Sequence, residues 1–348
     1  MKKMILMALC VSLTVLFTVN FGNTPIAFGE DAAGFYKDKV VTFMVPYNPG
    51  GGTDAFARMM APFLGKYLDA TIVVKNQPGA GGTYAYNHLY SKKPDGLTIS
   101  ITDSASLILA SILDDKGVDY DFRKFNWLGR LSWSRRVILI AKDSPLRTLE
   151  DLMKADKIKI AGTGKTDATS MTLQLLFHSL NIPPEKVSTV LGYSGGKEAM
   201  MSVMQAETDM TSLTEDTSYG FTKGGLVKAY MTVDNERSKL FPETPAFYEL
   251  TNPPEERDWP LAVFLDLQRL RRGVITSPNV PADRVAFLRT AIAKSLKDQK
   301  LLDIAAKKKR LIDPLTGDEM EALIKKKVGK LSDQQIAEFR DIALKKYQ

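Results

Sequence analysis

Three glycine-rich loops have the residue types and spacing that suit the binding of an anion. They are Gly50–Asp54, Pro78–Thr83 and Gly162–Asp167. Glycine has no Cβ atom, so its backbone amide can come close to a ligand and its φ angle can be positive. A helix that begins directly after such a loop adds unpaired N–H groups and a partial positive charge. The first two loops therefore predict a site for a carboxylate group.

The three loops do not match the sequences that bind nucleotides. The first and second lack the G-x-G-x-x-G pattern of dinucleotide-binding proteins. Gly164-Lys165-Thr166 looks like the end of a phosphate-binding P-loop, but Lys159 occupies the position of the first glycine. A nucleotide cofactor is therefore not expected.

A nucleophilic serine is the alternative that the sequence offers. Gly192–Gly196 matches the pattern G-x-S-x-G, with Ser194 in the nucleophile position. A hydrolase of that type needs a histidine later in the chain, and His88 and His178 both come earlier. The two histidines also lack the spacing of an H-E-x-x-H zinc site, so no metal is expected.

A predicted strand that begins at Asp209 ends with an acidic pair, Glu215-Asp216. Adjacent residues on a strand point to opposite faces, so a working catalytic dyad is not expected from this pair. We predict a protein without catalytic residues, cofactor or metal. An exported enzyme that acts on a carboxylated substrate, using Ser194 or the acidic pair, is the alternative.

The role of Asp54 has two interpretations. A carboxylate beside an anion site repels the ligand, so Asp54 is expected to cap the helix that follows. The other interpretation is a contact with the ligand through water, or with an ammonium group of an amino-acid ligand.

Composition and charge place the chain among globular proteins. It has 348 residues, of which 44% are hydrophobic and 25% charged, and its net charge is +7. Much of the excess lies in the lysine-rich clusters at 307–310, 325–327 and 345–346. No aromatic residues alternate with these lysines, as single-stranded nucleic acid would require, so we expect no nucleic-acid partner.

The N-terminus predicts export. Lys2 and Lys3 precede an apolar stretch from Met4 to about Phe21, and Ala27-Phe28-Gly29 offers small residues at a cleavage point. This is the pattern of a secretory signal peptide over residues 1–29, with an uncleaved membrane anchor as the alternative. The single cysteine, Cys10, lies inside this segment, so no disulfide is expected.

The elements around the loops predict an α/β protein. A strand over 40–46 and a helix over 55–67 flank the first loop, and strand, loop and helix follow one another again around the second and third. Such repetition is typical of parallel sheets whose ligands lie beyond the carboxyl ends of the strands. We predict two lobes, each a mainly parallel sheet flanked by helices: 30–134 with 270–348, and 135–269. The ligand is expected in the cleft between them.

Several stretches resemble the Bug/TctC family, the periplasmic solute receptors of tripartite tricarboxylate transporters. These are Val45–Asp54, Val73–Gly82, Lys93–Gly96, Tyr120–Phe122, Gly192–Ala199, Phe241–Pro245 and Ser277–Pro281. The resemblance implies a two-lobed periplasmic-binding-protein (Venus-flytrap) fold and a ligand carboxylate held by backbone amides and waters of the first two loops. The chain departs from the family pattern at Lys165–Met171, where members commonly show a histidine and small residues.

The sequence and the resemblance together predict a periplasmic, monomeric receptor for a small organic carboxylate, which feeds a membrane permease. The ligand is a di- or tricarboxylate, an aromatic acid or an acidic amino acid. A ligand-sensing partner of a membrane signalling protein is a further alternative. The predicted ligand-binding residues are Tyr47, Gly51, Gly52, Thr53, Asp54, Gly79, Ala80, Gly81, Gly82, Thr83, Thr163, Lys165, Ser170, Tyr193 and Asp216.

These residues have different expected roles. The amides of the first two loops and the hydroxyls of Thr53 and Thr83 grip one carboxylate, and Tyr47 and Tyr193 form walls of the cleft. The far part of the ligand is expected to contact Thr163, Lys165, Ser170 and Asp216.

Overall fold

A computed structural model describes residues 30–113, 116–328 and 331–347. The predicted signal peptide lies outside these residues. Within the described ranges, no helix is long and apolar enough to cross a membrane.

The strands and helices alternate along most of the chain. The strands are β1 Val40–Val45, β2 Thr71–Asn76, β3 Thr98–Ile101, β4 Asn126–Arg130, β5 Arg136–Ala141, β6 Ile158–Ala161, β7 Val187–Val190, β8 Met210–Thr214, β9 Val227–Val233, β10 Gly273–Thr276 and β11 Leu315–Thr316. The helices are α1 Glu30–Tyr36, α2 Gly52–Leu68, α3 Thr83–Tyr90, α4 Ser104–Ile112, α5 Leu149–Lys154, α6 Ala168–Ser179, α7 Gly196–Met204, α8 Glu215–Thr222, α9 Phe247–Leu250, α10 Glu255–Gln268, α11 Ala282–Leu296, α12 Gln299–Lys307, α13 Gly317–Val328 and α14 Asp333–Asp341.

Within the described residues the strands form two sheets. The first has the order β11-β4-β10-β3-β1-β2, and the second has the order β7-β6-β8-β5-β9. The chain passes from the first sheet to the second between β4 and β5 and returns between β9 and β10. This arrangement of two α/β units confirms the predicted fold class. The lobe boundaries at 134/135 and 269/270 stay a prediction.

Both sheets are mixed. The pairs β1–β2, β1–β3, β6–β7 and β6–β8 are parallel, as expected. Strand β10 is antiparallel to β3 and β4, and β5 is antiparallel to β8 and β9. Each of these two strands is the first that the chain forms after passing from the other sheet. β5 has no earlier strand in its own sheet, and β10 follows β4 only after the whole second sheet, so neither is placed by the single crossover helix that joins parallel neighbours. Strand β11 is also antiparallel to β4, and neither sheet is therefore mainly parallel, contrary to the expectation.

Burial explains why the first strand and helix form where they do. Val41, Phe43 and Val45 share one face of β1 and are inaccessible to solvent, because α2 packs against that face. Phe56 and Leu64 of α2 lie on the apolar stripe that packs against this sheet. The packing therefore fixes the position at which the loop between β1 and α2 leaves the sheet.

The two halves share a buried contact region. One cluster of buried apolar side chains runs from Tyr86 and Leu107, beside the first sheet, through Leu267 of α10 to Leu173 and Ile138, beside the second. The segment after α14 packs on α6, and Tyr347 donates a hydrogen bond to the Ile182 carbonyl oxygen at 2.9 Å. The two halves therefore pack against each other through this cluster and through the segment after α14.

Candidate ligand-binding cleft

The loop between β1 and α2 is held in place by Asp54. Its carboxylate accepts hydrogen bonds from the Gly50 amide at 2.9 Å and from Asn76 Nδ2 at 2.9 Å, and it forms an ion pair with Arg58 at 3.0 Å. Burial alone raises the pKa of Asp54, but the bonds from Arg58, Gly50 and Asn76 outweigh it and lower the pKa. These contacts occupy both oxygens, so Asp54 acts on the loop. A contact of Asp54 with a ligand stays a prediction.

The loop after β2 depends on glycine at positions 81 and 82. Gly81 has a φ angle of +65°, and a Cβ atom there would meet Asp167 Cβ at 3.0 Å. Gly82 has a φ angle of +106°, and a Cβ atom would meet Pro46 and Tyr86 at 3.1–3.2 Å. A side chain is thus excluded at Gly81 by the second half of the molecule and at Gly82 by neighbours in the first half.

Two neighbouring cavities lie in the cleft. We call the first the loop cavity; its lining includes Pro46, Tyr47, Gly79, Ala80, Gly81, Gly82, Thr163, Tyr193 and Ser194. We call the second the arginine cavity; its lining includes Tyr47, Gly51, Gly52, Thr53, Arg136, Asp167, Thr169 and Arg271. Tyr47 lines both and separates them. Its hydroxyl group donates to Asp167 Oδ2 at 2.9 Å and lies 3.3 Å from the Gly81 carbonyl oxygen.

The structure brings most of the predicted binding residues to this cleft. Gly51, Gly52 and Thr53 line the arginine cavity, whereas the Gly79–Gly82 segment, Thr163 and Tyr193 line the loop cavity. The first two loops therefore face different cavities, although one carboxylate was expected to contact both. Their individual roles stay predictions.

Five predicted residues line neither cavity. Thr83 is buried at the start of α3, and Lys165 is exposed. Ser170 is fully buried and donates hydrogen bonds to the carbonyl oxygens of Gly164 and, at 3.2 Å, of Asp167. The other two are Asp54, described above, and Asp216. The proposed contacts of these five residues with a ligand stay predictions.

Asp216 lies at the centre of an ion-pair network. Its side chain is completely buried and accepts hydrogen bonds from Arg272 Nη2 at 2.9 Å and Arg310 Nη1 at 3.0 Å. Burial raises the pKa of Asp216, but Arg272 and then Arg310 outweigh that effect and hold it far below its usual range. Asp216 is thus ionised and fully occupied by protein partners.

The acidic pair does not end a strand. Glu215 and Asp216 form the first turn of α8, because β8 already ends at Thr214. Glu215 accepts hydrogen bonds from the Arg135 amide at 3.0 Å and from Ser238 Oγ at 2.5 Å. The expectation that they lie on a strand is therefore wrong, and both carboxylates make contacts that stabilise the fold.

Ser194 lies in the loop cavity, but its backbone contacts are structural. Its carbonyl oxygen accepts a hydrogen bond from the Asn48 amide at 3.1 Å, and its amide donates to Glu198 at 2.8 Å. Among the described residues, no hydrogen bond joins a histidine to the Ser194 hydroxyl group. Nor do the described His, Cys, Asp and Glu side chains form a group of three that could hold a metal ion.

Arg136 and Arg271 are cleft residues that the sequence analysis missed. Arg271 forms an ion pair with Asp103 at 2.6 Å, and Arg136 donates to Ser212 and to the Ala168 carbonyl oxygen. The two arginines are far apart in the chain and belong to no local motif. Arg136 is the first residue of an apolar strand, and that position is the sole signal that could have indicated its burial.

Comparisons with known proteins agree with this architecture. The model of the family described as "Tripartite tricarboxylate transporter family receptor" (TctC) matches residues 56–302. A curated relative, "UPF0065 protein in gbd 5′region" of Cupriavidus necator, is 23% identical over 62% of this chain, and the match spans 65% of the relative's own length.

Two solved structures share the fold. MatC from Rhodopseudomonas palustris, solved with bound malate, has a TM-score of 0.69 and 22% sequence identity, with coverage of 88% of this chain and 99% of that one. Another Rhodopseudomonas palustris protein, solved with adipate, has a TM-score of 0.72 and 16% identity, with coverage of 88% and 98%. The family match extends over more than half of the sequence, and the chain belongs to the TctC family of periplasmic solute-binding receptors.

Proposed function

We propose that this protein binds a small organic carboxylate in the cleft between its two halves and delivers it to the membrane permease of a tripartite tricarboxylate transporter. The observation that carries this proposal is the loop cavity. Gly79, Gly81 and Gly82 all have positive φ angles there, so their backbone faces the space without side chains. Relatives of the same fold were solved with malate and adipate, which are both carboxylates.

An unpaired hydroxyl group in the loop cavity adds to the argument. Thr163 is 5% exposed, and its Oγ1 atom has no hydrogen-bond partner among the residues that the structure describes. A buried polar atom without a partner is costly, so such an atom often marks a place for a ligand or water. Thr163 belongs to the second half of the molecule and faces the glycine loop of the first, so a bound solute contacts both halves.

Hydrogen bonds to a carboxylate can supply the necessary affinity. Each bond to a charged group contributes about 1.5–3 kcal/mol. Micromolar binding requires about 8 kcal/mol. A few amide bonds, together with closure of the cleft around the solute, are therefore sufficient without any reactive side chain. The solute shifts the equilibrium towards the closed form because it contacts both halves in that form alone.

Calorimetry with an identified solute tests the proposal. The purified protein is denatured, any released acid is identified by mass spectrometry, and its binding to refolded protein is measured. We expect one acid bound per chain and recovered unchanged after incubation. Conversion of the acid into a product would contradict the proposal and favour an enzyme.

Replacing Gly81 by alanine tests the position of the site. The new Cβ atom would meet Asp167 Cβ at 3.0 Å, and the φ angle of +65° is strained for alanine. We expect affinity to fall by a factor of about ten or more, because relief of the clash and strain displaces the loop and removes at least one amide hydrogen bond to the carboxylate, worth about 1.5–3 kcal/mol. Gly220→Ala is the matched control, because an added Cβ atom there has open space. Unchanged affinity in Gly81→Ala would place the site elsewhere.

A further inference from the structure

Arg136 carries a buried positive charge whose hydrogen-bond partners are all neutral. The side chain is 2% exposed, and its Nε atom donates to Ser212 Oγ at 3.1 Å. Its Nη2 atom donates to the carbonyl oxygens of Ala168, at 3.1 Å, and Ser212. Among the described residues, no carboxylate lies within ion-pair distance of this guanidinium group.

Three neighbouring arginines differ from Arg136 in this respect. Arg271 is paired with Asp103, while Arg272 and Arg310 share Asp216. The nearby carboxylate of Asp167 is already taken by the hydroxyl group of Tyr47 and by the Thr169 amide. The charge of Arg136 therefore has no direct counter-ion within the described protein.

A buried, uncompensated charge is unfavourable, and an anion from solution relieves it. Burial, and after it the charge of Arg271, lowers the pKa of Arg136 to about 9. The group is still protonated at neutral pH, so it is available to pair with an anion.

The arginine cavity gives an anion access to Arg136. Gly51, Gly52 and Thr53 line the same cavity at the start of α2. The first N–H groups of a helix lack acceptors within the helix, and its dipole favours negative charge. A guanidinium group and a helix N-terminus thus line one space, and Tyr47 lines both this space and the loop cavity.

We propose that the arginine cavity holds a second carboxylate group of the solute, bound by Arg136, so that this receptor selects dicarboxylates over monocarboxylates. This inference rests on the proposed function, in which the first carboxylate occupies the loop cavity. The two groups lie on opposite sides of Tyr47, and that separation selects the length of the solute.

A panel of matched acids tests the inference on the wild-type protein. The probes are the unbranched dicarboxylates from malonate to adipate, each compared with the monocarboxylate of equal carbon number and with its own monomethyl ester. We expect the best dicarboxylate to bind at least about tenfold more tightly than its two monoanionic counterparts, since the lost contact is a charge-assisted hydrogen bond.

Substitution of Arg136 assigns the preference to this side chain. In Arg136→Gln we expect the dicarboxylate to lose about tenfold or more in affinity, while the monoester keeps its affinity and the preference disappears. Arg136→Lys retains the charge and is expected to restore part of the preference. Arg237→Gln is the control, because Arg237 is a half-exposed arginine paired with Glu249.

The outcomes separate the two proposals. If monoanions bind as tightly as dicarboxylates in the wild type, or if Arg136→Gln keeps the preference, the role of Arg136 is overturned and the receptor function stands. If no acid of the panel binds, the proposed function fails, and this inference fails with it. The comparison of wild-type affinities decides the inference even if Arg136→Gln does not fold.

Discussion

Single residues in this cleft divide into those that are fully paired and those that are not. Asp216 has its carboxylate occupied by Arg272 and Arg310, whereas among the described residues Arg136 has no counter-ion and the Thr163 hydroxyl group has no hydrogen-bond partner. A paired group stabilises the protein, and an unpaired one is available to a solute. By this distinction, Asp216 is better suited to stabilising the fold than to binding the solute.

Replacement of Asp216 by asparagine is expected to destabilise the protein. Removing one member of a buried ion pair costs about 3–5 kcal/mol, because Arg272 is left as an uncompensated buried charge. Urea unfolding at neutral pH measures the loss. Asp341→Asn is the control: its pair with Lys345 is exposed, and such pairs contribute at most about 1 kcal/mol.

The effect of this substitution depends on pH. Because folding lowers the pKa of Asp216, its contribution to stability is complete above the ordinary carboxyl pKa of about 3.9 and is lost as the pH falls below it. The stability difference between wild type and Asp216→Asn should therefore shrink in acid. A constant difference between neutral pH and pH of about 3 would contradict this account.

Residues joined only by tertiary structure are the ones that sequence could not reveal. The glycine loops were predicted because their spacing directly follows strands and precedes helices. Arg136 and Arg271 have no comparable local signal, since arginines are mostly exposed and these two meet only after both sheets have formed. Lys165 was predicted from its position in a glycine loop; its side chain is exposed, and its contact with a ligand stays a prediction.

Among the elements, β1 and α2 with their connecting loop are the unit that positions both cavities. The sequence predicted this unit closely, because a buried apolar strand and an amphipathic helix have different periodicities. Strand β4 was missed: Asn126–Arg130 contains a glycine and does not alternate, and its pairing with β10 is formed across a long stretch of chain. Strand direction in β5 and β10 was likewise set by the crossing between sheets.

Asn76, at the end of β2, connects this strand to the unit of β1, α2 and their loop, and its substitution tests how that loop is held. Its Nδ2 atom donates to the Tyr47 carbonyl oxygen at 2.8 Å and to Asp54 at 2.9 Å. In Asn76→Ala we expect the local opening free energy of the loop at 48–52 to fall by about 1–3 kcal/mol. Amide hydrogen exchange measures the change.

A matched asparagine provides the control for that experiment. Asn87 also bridges two segments, by donating to the Gly117 carbonyl oxygen and to Asp119, but it lies outside both cavities. Asn87→Ala should leave exchange in the loop at 48–52 unchanged. Equal exchange in that loop for wild type and Asn76→Ala would show that Asn76 does not brace it.

For the molecule as a whole, hydrogen bonds between α7 and the β1–α2 loop join the two halves across the cleft. Glu198 accepts hydrogen bonds from Asn48 Nδ2 at 2.6 Å and from the Ser194 amide at 2.8 Å. The Asn48 amide donates to the Ser194 carbonyl oxygen at 3.1 Å. Asn48 comes from the first half of the molecule and Glu198 from the second, so these bonds exist only when the halves meet.

Glu198→Ala is expected to shift the protein without solute towards an open form. The lost bonds to a charged group are worth about 1.5–3 kcal/mol, and the radius of gyration in small-angle scattering should increase. Saturating solute should restore the compact value, because binding favours closure. Glu150→Ala is the control, since Glu150 pairs only with Lys154 on the surface of α5. A radius equal to that of the wild type would contradict the role of Glu198.

The approach of Gly81 to Gly164 has a consequence for how such a receptor can diversify. A Cβ atom on Gly164 would lie 2.7 Å from the Gly81 nitrogen, so the halves touch there main chain to main chain. This contact between the halves is made by backbone atoms and involves no side chain of either glycine. Substitutions of the residues that line the cleft can therefore change which solute is bound, while the backbone contact between the two halves stays the same.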